Sequence, residues 1–316
     1  MRLVVMGTGP FAVPTLRALQ ASEHEVLVVV ARPPRGRRRE PAPPMVAAAE
    51  ELGLPVWRPE SANLSESQER LRGYEADLMV VCDYGEILKD ATLGVTRLGG
   101  VNLHGSLLPK YRGAAPVQWA VLNGDAESGS TVIQMTPGLD AGPSLGQSRL
   151  AIDPHETAGE LEERLSEAGA PLVLRVIGEL AAGTATPELQ DKSQATKAPR
   201  LSKEQGLVDW SRSAQKIKNH IRGMAPWPRA FTFVPMEKGE PLRLVIDRVD
   251  VVEGAGAPGP VAPGTVLEAK ERLVVACGEG ALELLDVQPA GKRRMAATDF
   301  LRGAAIKPGN SMRTDL

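Results

Sequence analysis

Asn102, His104 and Asp140 are the residues of this chain whose types and spacing suit chemistry. Residues 101–104 alternate apolar and polar side chains as a strand does, so Asn102 and His104 share one side while Val101 and Leu103 take the other. Gly105 then ends the strand, which places the polar pair at a carboxyl end, where open α/β sheets bind ligands. A second strand, STVIQM, runs into TPGLDAG and delivers Asp140 on a glycine-flanked loop. A donating amide, an imidazole and a carboxylate suit acyl transfer, in which negative charge develops on a carbonyl oxygen and a proton leaves the nucleophile. Taken alone, most Asn-X-His triplets are surface or turn residues, so the surrounding chain has to decide.

The elements around the triplet alternate. RLVVMG reads as a short apolar strand, VPTLRALQ as a helix and VLVVV as a second strand. PPMVAAAEELG (helix), LPVW (strand), a helix near SESQERLRG and the apolar strand ADLMVVC continue the pattern. This predicts an α/β fold, a doubly wound and mainly parallel Rossmann-like sheet. GTGPFA, between the first strand and helix, fits the G-x-G-x-x-A dinucleotide fingerprint, but the second strand ends in Ala31 and Arg32 rather than in the acid that binds ribose. Arg32 keeps an NADP enzyme open, while Pro10 removes an amide that a phosphate would want. HETAGELEERLSEAGAPLVLRVIGELAAG predicts a long amphipathic helix with a possible break at residues 169–171.

HGSLLPKYRGAAP followed by GLDAG resembles the folate-dependent formyltransferase family, and within it the branch that formylates methionyl-tRNA. MGTGPFAVPTL near the start, LSKEQGLVDWS in the middle and GKRRMAATDFLRG near the end are similar to that branch too, in the same order. The resemblance implies a formyltransferase-type sheet domain and a smaller C-terminal OB-like β-barrel. It implies 10-formyltetrahydrofolate as formyl donor, initiator methionyl-tRNA as acceptor, and neither a nicotinamide nor a metal. The catalytic set it implies is Asn102, His104 and Asp140. DYGEIL falls where the family has AYG, so Tyr84 and Gly85, with Ser106, Leu107, Leu108 and Pro109, are the expected folate-binding residues, and Asp83 departs from the usual small residue. A formyltransferase acting on glycinamide ribonucleotide or an amino-sugar nucleotide is the near alternative; a one-domain glycinamide enzyme would lack residues 206–316.

Five arginines fall in residues 32–39, bracketed by prolines that forbid a regular helix or central strand. Guanidinium groups fork to phosphates and stack on bases, so the segment reads either as a solvated charge run or as a phosphate-gripping arm. The resemblance favours the arm and places its key residue at Arg37, with Arg35 and Arg38 beside it. Residues 184–205 are polar, proline-bearing and aperiodic, which marks a linker between domains 1–184 and 206–316, with the linker at 185–205. Beyond it, one helix and five short strands punctuated by Gly and Pro predict a small barrel. Lys203, Lys292 and Arg293 are the tRNA-contact candidates there by resemblance, a charged surface being the plain alternative. His220 and Trp227 read as packing residues.

The bounds agree. The chain has 316 residues, 42% hydrophobic composition and a formal net charge of −2, enough for two ordinary cores. Residues 1–205 carry five more acidic than basic side chains, and the remainder three more basic than acidic. The longest apolar run, residues 26–31, is far too short to span a bilayer, and no signal-peptide pattern opens the chain. A cytoplasmic monomer without a membrane association is the expectation. Cys82 and Cys277 each lie in an apolar run and read as buried thiols. A metal hydrolase fits poorly, because His24, His104, His155 and His220 show no paired spacing. A non-catalytic RNA-binding module fits only if Asn102, His104 and Asp140 are far apart.

Overall fold

A computed structural model describes residues 1–33, 41–236, 240–252 and 261–313. It divides into two compact units, Met1–Val117 with Glu127–Ala151 and Glu160–Arg200, and Gln118–Ala126 with Ile152–Gly159 and Leu201–Leu316.

Strands rich in Val, Leu and Met, which favour a pleated and buried surface, build the centre of the first unit. These are β1 (Arg2–Met6), β2 (Glu25–Val30), β3 (Val56–Trp57), β4 (Leu78–Val81) and β5 (Gly100–His104). They run parallel in the order β3-β2-β1-β4-β5. After a short β6 (Arg112–Gly113), β7 (Glu127–Gln134) and β8 (Ser144–Ala151) extend that sheet antiparallel beyond β5. The crossovers are α1 (Val13–Gln20), α2 (Pro44–Glu51), α3 (Ser65–Gly73) and α4 (Asp90–Leu93). The chain leaves β1 toward β2 on one side and returns to β4 on the other, so the direction of winding reverses between β1 and β4. That reversal opens a crevice at their carboxyl ends.

Every residue of β4 is buried, as expected for a central strand covered on both faces. Val4, Met6, Val28, Val30, Met79 and Val81 form one side of this core, each contributing roughly 1.5–3 kcal/mol by leaving water. After α5 (Pro116–Asn123), the long α6 (Ala158–Ala182) runs unbroken with Pro171 inside it. The expected break is absent because a proline removes one helical hydrogen bond, while Leu165, Leu172, Val173, Val176 and Ile177 stay buried on either side. Gly169 has a packing role here, since a Cβ at that position would lie 2.7 Å from the Leu103 side chain of β5.

Residues 188–198, within the stretch read as a linker, pack on the first unit. β9 (Lys197–Ala198) pairs parallel with β6, and Ser144 and Glu188 exchange backbone hydrogen bonds of 2.8 Å.

In the second unit, β10 (Ala230–Val234), β11 (Leu242–Val251), β12 (Val266–Ala269), β13 (Leu273–Ala276), β14 (Ala281–Pro289) and β15 (Met295–Ala296) form an antiparallel sheet. Its order is β10-β11-β14-β13-β12, with β15 against β14. The segment after α8 (Ala297–Gly303) bridges the two edges, Arg313 to Phe233 of β10 and Ser311 to Thr265 ahead of β12. The sheet is thereby closed into a small barrel, which leaves neither edge open. α7 (Ala214–Gly223) is capped by Ser213, whose side chain accepts from the Lys216 amide. Trp210 is buried and donates through Nε1 to Thr232 at 3.0 Å.

Cys82 and Cys277 are free and buried; burial raises both thiol pKa values, that of Cys277 to about 12. His220 is buried and held by the Gln205 carbonyl at 2.7 Å, with its pKa lowered by burial. Trp227 departs from the packing expectation at 49% exposure, an indole following directly on Pro226 at a turn. Among the described residues no helix is long and apolar enough to cross a membrane, and no cluster of three His, Cys, Asp or Glu is arranged to hold a metal.

Candidate active site

The alternation along β5 works as the sequence implies. Val101 and Leu103 are buried, Asn102 is half-buried, and His104 is 6% exposed at the strand's end. The His104 Nε2 lies 2.9 Å from the Tyr111 carbonyl. A carbonyl only accepts, so Nε2 carries a proton and Nδ1 is the nitrogen left for chemistry.

Nδ1 faces Asp140, whose Oδ2 is 3.7 Å away, within ion-pair range but longer than a hydrogen bond. Oδ2 accepts instead from the Gly113 amide at 2.9 Å. The sequence reading has Asp140 bonded to His104; the two stand side by side without a hydrogen bond, and the Gly113 amide fixes the acid. Among the described residues the Asn102 amide has no hydrogen-bond partner, so its donors are available to a ligand.

Asp83, Tyr111 and Asp140 all adopt left-handed backbone, with φ of +47°, +63° and +46°. Such strain in non-glycine residues persists only where neighbours over-determine it, and it clusters at ligand and catalytic loops.

The loop after β5 is anchored from within. Ser106 is fully buried; its hydroxyl donates to the Lys110 carbonyl at 2.7 Å, and its own carbonyl accepts from Thr131 at 2.7 Å. Gln147 Nε2 holds the Leu108 carbonyl at 2.9 Å. The Tyr84 ring is buried too, which raises its phenol pKa to about 12. What Ser106, Tyr84 and Gly85 can offer a ligand is therefore backbone, while Ile87, 62% exposed, offers apolar surface.

Glu86 secures the β4 loop from below. Its carboxylate takes Arg32 at 2.7 Å, the Ala62 amide and Asn63 Nδ2 at 3.1 Å each, and the Ser61 hydroxyl. Arg32, the first residue of the arginine segment, is thus tied to the loop that carries Tyr84 and Gly85. Arg35, Arg37 and Arg38 lie outside the described residues.

Asp83 occupies the crevice between β1 and β4. The Thr8 amide donates to its carbonyl at 3.0 Å, and its carboxyl stands against Gly9, where any Cβ would collide with Oδ2. Asp83 is exposed as a residue, although protein atoms crowd its carboxyl. That enclosure raises its pKa to about 6, against the lowering effect of the Gly9 amide. A negative group on the glycine turn would repel a pyrophosphate there.

In the second unit Lys203, Lys292 and Arg293 are exposed, whereas Arg294 is engaged by Asp286 at 3.0 Å and Asp247 at 3.6 Å. Sequence reasoning missed Arg112, Gly113, Gln190 and Thr196, all of which hold the loops beside His104 and Asp140. Arg112 and Gly113 had one signal, the motif KYRGAAP, whose glycine supplies the amide on Asp140, and Gln190 and Thr196 had none.

A doubly wound α/β domain with an amide, an imidazole and a carboxylate at its strand ends, continued by a small barrel, defines a two-domain group-transfer enzyme. Residues 1–177 match the family described as formyl transferase and residues 200–305 the formyl transferase C-terminal domain, and the chain belongs to the formyl transferase family. It is 42% identical over 312 residues to a methionyl-tRNA formyltransferase of Citrifermentans bemidjiense, covering 98% of this chain and 95% of that protein. With a methionyl-tRNA formyltransferase of Methylobacterium nodulans it shares 45% identity over 313 residues, 98% of each chain.

Among solved structures it is similar to WlaRD, a sugar 3N-formyl transferase determined with dTDP and 5-N-formyl-THF. The TM-score is 0.66 at 16% identity, over 93% of this chain and 99% of that one. An N-formyltransferase from Helicobacter canadensis, in complex with folinic acid and dTDP-3-aminofucose, gives 0.66 at 17% identity, over 89% and 98%. At such identities the likeness concerns the fold.

Proposed function

We infer that this protein transfers a formyl group from 10-formyltetrahydrofolate to the α-amine of methionyl-initiator tRNA, in support of translation initiation. The observation that carries this reading is the 42–45% identity to methionyl-tRNA formyltransferases over nearly the whole chain, both domains included. The sugar enzymes share the fold at 16–17% identity, which makes an amino-sugar nucleotide the weaker acceptor.

The geometry supports a route through three side chains. Asn102 Nδ2 and, in the imidazolium form with a proton on each ring nitrogen, the Nδ1 of His104 donate to the formyl oxygen as the amine nitrogen bonds to the formyl carbon and negative charge grows on that oxygen. One preorganised donor of this kind contributes roughly 3–4 kcal/mol to the transition state. Asp140, fixed by the Gly113 amide, takes the proton the amine must lose. It returns that proton to N10 of the folate as the bond from N10 to the formyl carbon breaks, so the folate leaves neutral at that nitrogen.

The backbone of Tyr84, Gly85, Ser106, Leu107, Leu108 and Pro109, with the apolar Ile87 surface, suits a flat ring that has an amide edge, and we assign the folate there. Catalysis is assigned to residues 1–184 and tRNA contact to the barrel of 206–316. Of the joining stretch, 185–205, residues 188–198 pack on the first. Arg35, Arg37, Arg38, Lys203, Lys292 and Arg293 are the proposed tRNA contacts, through forked and point-charge bonds to phosphate.

The test is a choice of acceptors. The purified protein is given 10-formyltetrahydrofolate with charged initiator tRNA, glycinamide ribonucleotide or an amino-sugar nucleotide. Formylation of the tRNA alone is expected, and comparable formylation of either nucleotide would overturn the assignment.

A further inference from the structure

The Asp140 loop and the loop of residues 109–115, joined directly by the Gly113 amide on the Asp140 carboxylate, are joined again through a residue far along the chain. Gln190 is half-buried, and its side-chain amide is fully used. Nε2 donates to the Asp140 carbonyl at 2.9 Å and to the Gly142 carbonyl at 2.7 Å. Oε1 accepts from Arg112 Nε at 3.2 Å and Nη2 at 2.7 Å.

The same stretch pins the second loop along its length. Thr196 accepts from the Tyr111 amide through Oγ1 at 2.8 Å and from the Arg112 amide through its carbonyl at 2.9 Å, and the Ala198 carbonyl takes the Ala115 amide at 3.2 Å. Those residues matter because the Tyr111 carbonyl orients His104 and the Gly113 amide holds the Asp140 carboxylate.

We propose that Gln190 is a positioning residue for formyl transfer, a single amide that clamps the Asp140 backbone to Arg112 and so sets the distance between acid and imidazole. Two features require a carboxamide. The two carbonyls of the Asp140 loop need a donor, and the guanidinium needs an acceptor; no other side chain of that length supplies both from one planar group. Asp140 also sits in left-handed backbone, a strained conformation for a non-glycine residue that lasts only under such restraint. Misplacing a catalytic group by about 1 Å costs on the order of a hundredfold in rate.

The proposal rests on the formyl-transfer reading, and the experiment separates the two. Steady-state transfer to charged initiator tRNA is measured for the unaltered protein, Gln190→Ala, Gln190→Glu, Asp140→Ala and the double variant Gln190→Ala with Asp140→Ala. In Gln190→Ala, kcat is expected to fall roughly tenfold to a hundredfold, with KM for folate and tRNA each changed less than about threefold. In the Asp140→Ala background the same change should cost less than about twofold, because the group being positioned is gone. Gln190→Glu keeps the length and the Arg112 contact but sets an anion against two carbonyls. It should lower kcat alongside Gln190→Ala, and it serves as the reading if the alanine variant does not fold.

Unchanged kcat in both variants, a loss carried in KM, or full additivity with Asp140→Ala would overturn the proposal. No transfer by the unaltered protein would instead remove the reading beneath it, and the proposal with it.

Discussion

Among the described residues the Asn102 side chain at the end of β5 has no protein partner, and its freedom is what makes it useful. His104 has one nitrogen held by Tyr111 and the other facing Asp140, and the Asp140 carboxylate is held by Gly113. An amide left without a protein partner would be a cost if it were buried, but it is half-exposed and can meet a ligand instead. If it donates to the developing oxyanion, its loss must appear in turnover rather than in stability. Asn102→Ala is expected to lower kcat about a hundredfold to a thousandfold, with a melting temperature within about 2 °C of the unaltered protein. Asn102→Asp, of the same shape but anionic, should be at least as slow, because it sets charge against charge. A transfer assay with both variants checks this, and an active aspartate variant would show that the amide does not face the oxyanion.

The elements β1 and β4 meet through Asp83, and that junction has a pH dependence that can be read from its chemistry. The carboxyl pKa lies at about 6 in the fold, above its ordinary 3.8, because enclosure disfavours the charge. The unfolded chain thus releases this proton at lower pH than the folded one does. Stability from this group is full below about pH 4 and is lost as pH rises through about 6. Asp83→Asn keeps an acceptor for the Gly9 amide and removes the charge. It should raise the melting temperature at pH 8 and leave it nearly unchanged at pH 4; a shift of equal size at both values would contradict the account.

The same elements show what could be read in advance. β4 and β5 were legible because hydrophobic runs and period-two alternation are local signals, and they placed Asn102 and His104 correctly. The unbroken α6 was not, because whether Pro171 ends a helix depends on the burial of residues around it. The restraints from Gln190 and Thr196 were not legible either. A polar, aperiodic stretch gives no pattern from which a clamp can be told from a tether, and its contacts join residues about fifty to eighty-five positions apart.

At the scale of the whole molecule the chain is nearly neutral, with a formal net charge of −2, but one segment is densely positive. Five arginines fall in residues 32–39, within residues 1–205, which are otherwise acidic, and the remainder beyond residue 205 carries a small basic excess. A large polyanion is attracted by such concentrations through release of its counterions, and each phosphate contact adds a slope of about −0.7 to −0.9 in log affinity against log salt. The folate carries too few charges to respond in this way. Raising the salt concentration should therefore lower kcat/KM for charged tRNA steeply while kcat/KM for folate, measured at saturating tRNA, falls little. Replacing Arg35, Arg37 and Arg38 together by alanine should flatten the tRNA slope by about two to three and raise KM for tRNA far more than KM for folate. Arg32 is left in place in this variant, because its bond to Glu86 belongs to the loop proposed to hold the folate. Equal losses toward both substrates, or an unaltered salt slope, would mean that the arginines act on the catalytic unit rather than on the RNA.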